Sequence, residues 1–429
     1  MGVKKAFLLI FGFVPAMLAL AGDDDKTLRY ENFIYEENIQ TVLLFQESSN
    51  DHMPVLGLGA DDRLMLLFDQ LGTENEYFQY TFVHCNSDWT PSDLQPMQYL
   101  EGNMFDNIES FQYANNTYFK YVHYRLSFPN EKIKPKLSGN YLLKVYRNFN
   151  EGELILTRRF YVLDSKIGIT GTAIAATRPD YRFNKQEVDF TANTKNYLVI
   201  NPFQDTRVVI MQNYWQDNAI TNLKPQFVNG QDLIYNYEEE NVFGGINEFR
   251  FFDTRSLRFA SMNVDKKYFF EGAYHTRLIP DEIKAFKRHV NLIDYNGKRV
   301  VDNKDGNDGN IDGDYTWVYF TLKSEVILPD SVYVMGELTD WRIQERFKMT
   351  YNHANKAYEG KALLKQGFYD YMYVTTPQNP AELPETTFTE GNYFDTENDY
   401  HIFYYVRNQF LDYHELLGFK RINSNTSRK

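Results

Sequence analysis

Tyr121-Val122-His123-Tyr124-Arg125-Leu126-Ser127-Phe128 alternates strictly, with Val122, Tyr124, Leu126 and Phe128 on one face and His123, Arg125 and Ser127 on the other. A period of two with one apolar and one polar face belongs to a half-buried β-strand, in which successive side chains point to opposite sides of a sheet. Similar runs are Tyr77 to Cys85, Tyr141 to Tyr146, Ile155 to Leu163, Arg207 to Gln212 and Thr316 to Leu322. Amphipathic helices of a dozen residues are missing, so the chain reads as all-β, built from sandwiches with one wet face per sheet. Composition agrees: 33 Tyr and 34 Phe against 4 Trp make 17% aromatic residues, carried in short runs between Gly, Asn, Asp and Pro.

The N-terminus has a different character. Lys4 and Lys5 precede an apolar stretch from Ala6 to Leu20, which ends in Ala19-Leu20-Ala21 before acidic Asp23-Asp24-Asp25. This is the pattern of a secretory signal peptide over residues 1–21, cleaved after Ala21. No cysteine follows the cut, so no lipid anchor is expected. Losing Lys4 and Lys5 takes the formal charge from -13 to -15. With basic residues scattered among more numerous acids, nucleic acid is excluded as a partner. No later apolar run approaches a spanning length, so direct membrane insertion is not expected either. Cys85 is the only cysteine. Stability must therefore come from packing, and Cys85, closing an apolar strand, reads as a buried structural thiol.

About 400 mature residues suggest two to four domains. Arg158 to Leu163 reads as the last strand of a first unit, 27–163, with Asp164-Ser165-Lys166 as linker. A middle unit then spans 167–301. The acidic, Gly-rich stretch Asp302 to Asp314 separates it from a third unit, 315–410, and 419–429 reads as a polar tail. Asn296-Gly297 suits a type I′ turn joining Val290–Tyr295 to Lys298–Val301 as a hairpin.

Motifs for enzyme chemistry are missing: there is no G-x-S-x-G elbow, P-loop, complete G-x-G-x-x-G or H-E-x-x-H, and the eight histidines are dispersed. No catalytic residue and no cofactor are expected. One metal-like signal stands in Asp308-Gly309-Asn310-Ile311-Asp312-Gly313-Asp314, where oxygen side chains at alternate positions match the first half of a calcium loop. Counting Asp308 as the first ligand, the place of the bidentate Glu holds Tyr319, so a solvated turn is preferred over a site made by Asp308, Asn310, Asp312 and Asp314. In Asn86-Ser87-Asp88-Trp89-Thr90-Pro91-Ser92-Asp93, short polar residues surround one Trp. The preferred reading is a structured loop pinned by Trp89 to its own sandwich.

Two resemblances extend this reading. Val332-Tyr333-Val334-Met335-Gly336-Glu337-Leu338-Thr339-Asp340-Trp341, followed by Gly367-Phe368-Tyr369-Asp370-Tyr371-Met372-Tyr373, resembles immunoglobulin-like E-set domains, among them glycogen-binding modules. That implies the sandwich fold for the third unit, with Trp341 as core, and leaves an envelope carbohydrate-binding protein as the alternative function. The longer resemblance covers approximately residues 30 to 410. It rests on Glu36-Glu37-Asn38-Ile39-Gln40-Thr41-Val42, His84 to Leu94, His123 to Asn130, Gln212 to Ile220, Gly244 to Arg250 and Glu390 to Tyr400. These strings resemble the plug protein of the type IX secretion system of Bacteroidota. The resemblance implies a non-enzymatic periplasmic protein, associated with the outer membrane, that closes the periplasmic mouth of the translocon barrel. The barrel would be its partner, and the family supplies no interface residues.

Overall fold

The computed structural model of the protein describes residues 26–377 and 382–425. The proposed signal peptide and the last four residues lie outside that range. The chain is all-β, and its strands form three pairs of facing sheets beside a two-stranded ribbon of Leu100–Gly102 and Ile133–Pro135.

In the first sandwich, a six-stranded sheet is centred on Phe78–Cys85, Gly139–Arg147 and Asn150–Leu163. It faces a four-stranded sheet made of Ile39–Gln46, Leu64–Leu71, Tyr121–Phe128 and Ser110–Tyr113. Between them lie Phe68, Tyr80, Phe82, Val122, Tyr124, Phe128 and Phe160, one set from each inner face. Alternation in Tyr121–Phe128 thus does select the core. Its other face departs from expectation: Tyr121 and His123 are also buried, because the third sandwich covers that side of the sheet.

The second sandwich takes Gly168–Ala175, Lys185–Asn193, Asp232–Tyr235 and Phe227–Asn229 on one side. On the other, Thr206–Gln212 pairs with Asp399–Asn408, which pairs with Tyr413–Asn423. The third sandwich is therefore an insertion, running from Arg250–Asp253 to Gly367–Thr376 inside the second.

This corrects the consecutive order expected from the sequence. Strands between 250 and 301 belong to the third sandwich rather than to a middle unit ending at 301, and the second sandwich is completed by the C-terminus. Periodicity identifies a strand; it does not name a partner nearly two hundred residues away. Likewise 419–429 is not simply a polar tail. Tyr413–Asn423 is a full strand, Ile422 is buried, and Ser424 Oγ donates to the Thr396 carbonyl at 3.1 Å.

The Asn296-Gly297 hairpin is not formed either. Both residues have the positive φ foreseen, 54° and 80°, but Arg299–Val301 pairs with Gly367–Thr376 and 290–295 forms no strand. Asp294 and Asp370 accept the N–H groups around this turn: Asp294 takes those of Phe249 and Asn296, Asp370 those of Tyr295 and Gly297. That satisfies backbone donors a hairpin ladder would otherwise use. The turn then lies against Trp341, whose Cη2 would be 2.3 Å from a Cβ at Gly297.

Candidate functional surface and the joints behind it

A fourth apolar cluster belongs to no single sandwich. Met53, Val55 and Tyr161 from the first, Met211, Tyr214 and Phe403 from the second, and Tyr333, Met335 and Trp341 from the third pack together. Trp341 meets Phe249 edge-on at 5.8 Å. It is core, as expected, but core shared by three domains. Trp89 stands beside the same cluster, with its ring against Tyr161 at 5.3 Å and under the Arg159 guanidinium at 4.3 Å. Both partners lie on Asn150–Leu163, so the loop is pinned to its own sandwich.

Buried charges surround this apolar hub. Asp69, on the outer face of the first sandwich, accepts from Lys365 Nζ at 2.6 Å, Tyr315 Oη at 2.7 Å and His123 Nδ1 at 2.7 Å. Burial works to raise its pKa, but Lys365 and His123 outweigh it and hold the carboxyl below the usual range. Nearby, His52 bonds Glu337, and Arg158 reaches Asp340 at 3.0 Å. The Asp164-Ser165-Lys166 segment donates through Asp164 and Lys166 N–H to Leu416 and Leu417, tying the first sandwich to the last strand of the second.

The acidic loop is part of the same joint. Asp308 accepts from the Asn310 N–H and caps a single helical turn, Gly309–Asp312. Asp312 accepts from the N–H groups of Asn307 and Asp308, and Asp314 from those of Tyr118, Phe119 and Tyr315. Asn310 uses its carbonyl, which accepts from Lys365 and Tyr121. Asp314 and the Asn310 carbonyl thus dock the third sandwich on the first, while Asp308 shapes the loop itself; among the described residues no group of three or more His, Cys, Asp and Glu side chains is placed to hold a metal ion. The loop is also internal to the third sandwich, not a separator between units.

Histidine contacts are structural in kind. His84 bonds Ser92 Oγ at 2.9 Å and the Ser138 carbonyl at 3.2 Å, and burial lowers its pKa to about 4. His414 joins Ser87 Oγ at 2.9 Å across the boundary of the first two sandwiches. Cys85 is buried, which pushes its thiol up to about 12 and makes it inert. The alternating tyrosines that resemble a sugar-binding module, Tyr369, Tyr371 and Tyr373, are all core and offer no stacking face.

Surface available to a partner lies elsewhere, and alternation alone did not reveal it. At one end of the first sandwich Tyr77 is 77% exposed and Phe149 67%. Together with Phe78, Ile108 and Phe111 they line an open groove of about 650 Å³. Phe149 sits at φ 55° after Asn148 at 57°, a tight turn where Gly is normal. Its ring is exposed and edge-on to Phe105 at 6.1 Å; the one sequence signal for it was a Phe standing between Asn148 and Asn150 in a turn.

Comparison with known proteins agrees with this architecture. Residues 39–164 match the family model described as type 9 secretion system plug protein, 1st domain. None of the curated proteins matches. A crystal structure of a hypothetical protein from Parabacteroides merdae ATCC 43184 superposes with a TM-score of 0.89 at 30% identity, over 92% of this chain and 100% of that one. Residues 39–164 thus form a first domain of the type 9 secretion system plug protein kind, and the chain as a whole shares its architecture with that hypothetical protein.

Proposed function

We propose that the protein acts as a non-enzymatic plug, seated from the periplasm in the mouth of the outer-membrane translocon barrel of the type IX secretion system. The observation that carries this reading, beside the first-domain match, is the shared hub: three sandwiches joined by one apolar cluster and buried ion pairs make a single stiff body. A stopper works through area, shape and rigidity. It needs no reaction centre, and interfaces of that kind draw their strength from a broad, complementary patch.

Deleting the gene in its native host tests the proposal. The outer membrane is expected to leak large solutes while secretion continues, and the leak is expected to vanish when the barrel is deleted as well. A membrane that stays tight after deletion, with the barrel present and not otherwise capped, would refute the plug role.

A further inference from the structure

Residues 283–295 form an extended strap without helix or strand on the third sandwich. Its feet are fixed. Lys284 and Ala285 donate their N–H groups to the Thr389 carbonyl at 2.8 and 3.1 Å, and Lys284 Nζ donates to the Glu248 carbonyl at 2.8 Å. His289 bonds Asn247 at 3.2 Å midway, and Asp294 takes the Phe249 N–H at 2.6 Å at the far end.

Between these anchors the strap turns apolar side chains outward. Phe286 is 89% exposed and Ile293 97%, with Val290 and Leu292 also exposed. Phe286 is held at φ 66°, a conformation unfavourable for a bulky residue, and its ring gains no burial in return. Lys287 and Arg288 follow it, both exposed, in a chain whose formal charge is -13. Lys287 meets Glu282 at 2.6 Å on the open surface, where such a pair is weak and readily exchanged for another anion.

We propose that this strap adsorbs on an anionic phospholipid surface, with Phe286 and Ile293 entering the headgroup layer and Lys287 and Arg288 meeting phosphates. Isolated apolar side chains standing out from an irregular loop make a protrusion rather than a patch. A protrusion fits a deformable partner, and neighbouring cations select an anionic one. Adsorption of this kind needs no spanning segment, and among the described residues no helix is long and apolar enough to cross a membrane. The proposal rests on the plug reading only for its setting, since a protein at the periplasmic mouth of an outer-membrane barrel sits beside the inner lipid leaflet.

Flotation of the purified mature chain with vesicles tests it. Binding is expected to phosphatidylethanolamine vesicles containing phosphatidylglycerol, weakened by salt, and not to phosphatidylcholine alone. The Lys287→Glu/Arg288→Glu variant is expected to bind at least about tenfold more weakly. Phe286→Ser/Ile293→Ser is expected to lose binding, with both variants melting at the wild-type temperature. A wild-type chain that does not float, or variants that float as well as it does, would overturn the proposal. If the chain does not float while the variants lose co-purification with the barrel, the strap belongs to a protein pocket and the lipid assignment is wrong. The plug reading stands or falls separately, on leakage after deletion.

Discussion

Replacing Lys365 by Met tests whether the sandwiches are locked by charge as well as by apolar packing. Lys365 Nζ lies 2.6 Å from Asp69 Oδ2, with side-chain exposures of 0% and 1%, so water cannot take its place. The substitution leaves Asp69 with the Tyr315 hydroxyl and His123 as its remaining partners. Breaking such a pair by removing one partner costs about 3–5 kcal/mol. The two remaining donors favour the lower end. Loss of the bond to the Asn310 carbonyl adds about 1 kcal/mol, and the ammonium over the Tyr121 ring at 4.0 Å is lost too. The expected destabilisation is about 4 kcal/mol.

Because the bond joins the first sandwich to the third, the loss is expected to appear as early opening of that joint. Urea unfolding followed by Trp fluorescence measures the energy, and limited proteolysis within 302–314 reports the opening. The Asp69→Asn/Lys365→Met double variant removes both charges and keeps an acceptor for Tyr315. It is expected to recover to within about 1 kcal/mol of the wild type. A single variant within about 1 kcal/mol of the wild type, or a double variant no better than the single, would refute the reasoning.

Gly297→Ala is expected to lower stability by about 2–4 kcal/mol, read by urea denaturation, since the new methyl would strain a φ of 80° and meet Trp341 Cη2 at 2.3 Å. Acid pH is expected to destabilise through His84: its folded pKa, about 4, lies below the ordinary 6.5, so its contribution is intact above 6.5 and is lost as pH falls to 4. The loss amounts to about 3 kcal/mol and disappears from the stability profile of His84→Asn. Asp370 has the opposite sign, because burial and then Asp294 raise its pKa from 3.8 to about 8. Its contribution is full below 3.8 and is lost as pH rises from there to about 8, so Asp370→Asn is expected to remove that decline between about pH 4 and 8 from the same profile. Calcium at millimolar concentration is expected to move the melting temperature by less than about 1 °C, because the carboxylates of 308–314 already accept N–H bonds; a large saturable rise would contradict the hydrogen-bonding assigned to that loop.

Strand existence was legible from alternation, as in Tyr121–Phe128 and Phe78–Cys85, and pairing only where partners adjoin in sequence, as Gly139–Arg147 and Asn150–Leu163 do. Pairing was not legible where partners are remote. Nothing local to Thr206–Gln212 points to Asp399–Asn408. His123 shows the same limit on a smaller scale: its position in the alternation says solvent, and only another domain, supplying Lys365 and Tyr315 around Asp69, makes that position core. The acidic loop was expected as a solvated turn between units, yet Asp314 closes an interdomain joint because the amides of Tyr118 and Phe119 reach it from the first sandwich. The resemblance to E-set domains implied Trp341 as core; that the core is common to three domains follows only from the insertion.

Insertion also explains why three sandwiches can behave as one body. A domain appended at one end is held by one crossing of the chain and can swing about it. Here the third sandwich is entered near Gly245 and left near Tyr393, and these two crossings touch. A Cβ on Gly245 would lie 2.1 Å from the Tyr393 carbonyl oxygen, and Tyr393 N–H donates to Ile246 at 2.9 Å. Asn247 bonds the Glu390 carbonyl at 2.8 Å, and Arg250 pairs with the Glu390 carboxylate at 2.9 Å immediately beyond. Two clamped crossings remove the hinge that a single linker would provide. With the hub on one side and the Asp69–Lys365 joint on another, reorienting the third sandwich requires breaking buried contacts at three separate places. Resistance to deformation under a load from one side is what the proposed plug role would demand, and this connectivity favours it without disulfides, since Cys85 is the chain's only cysteine.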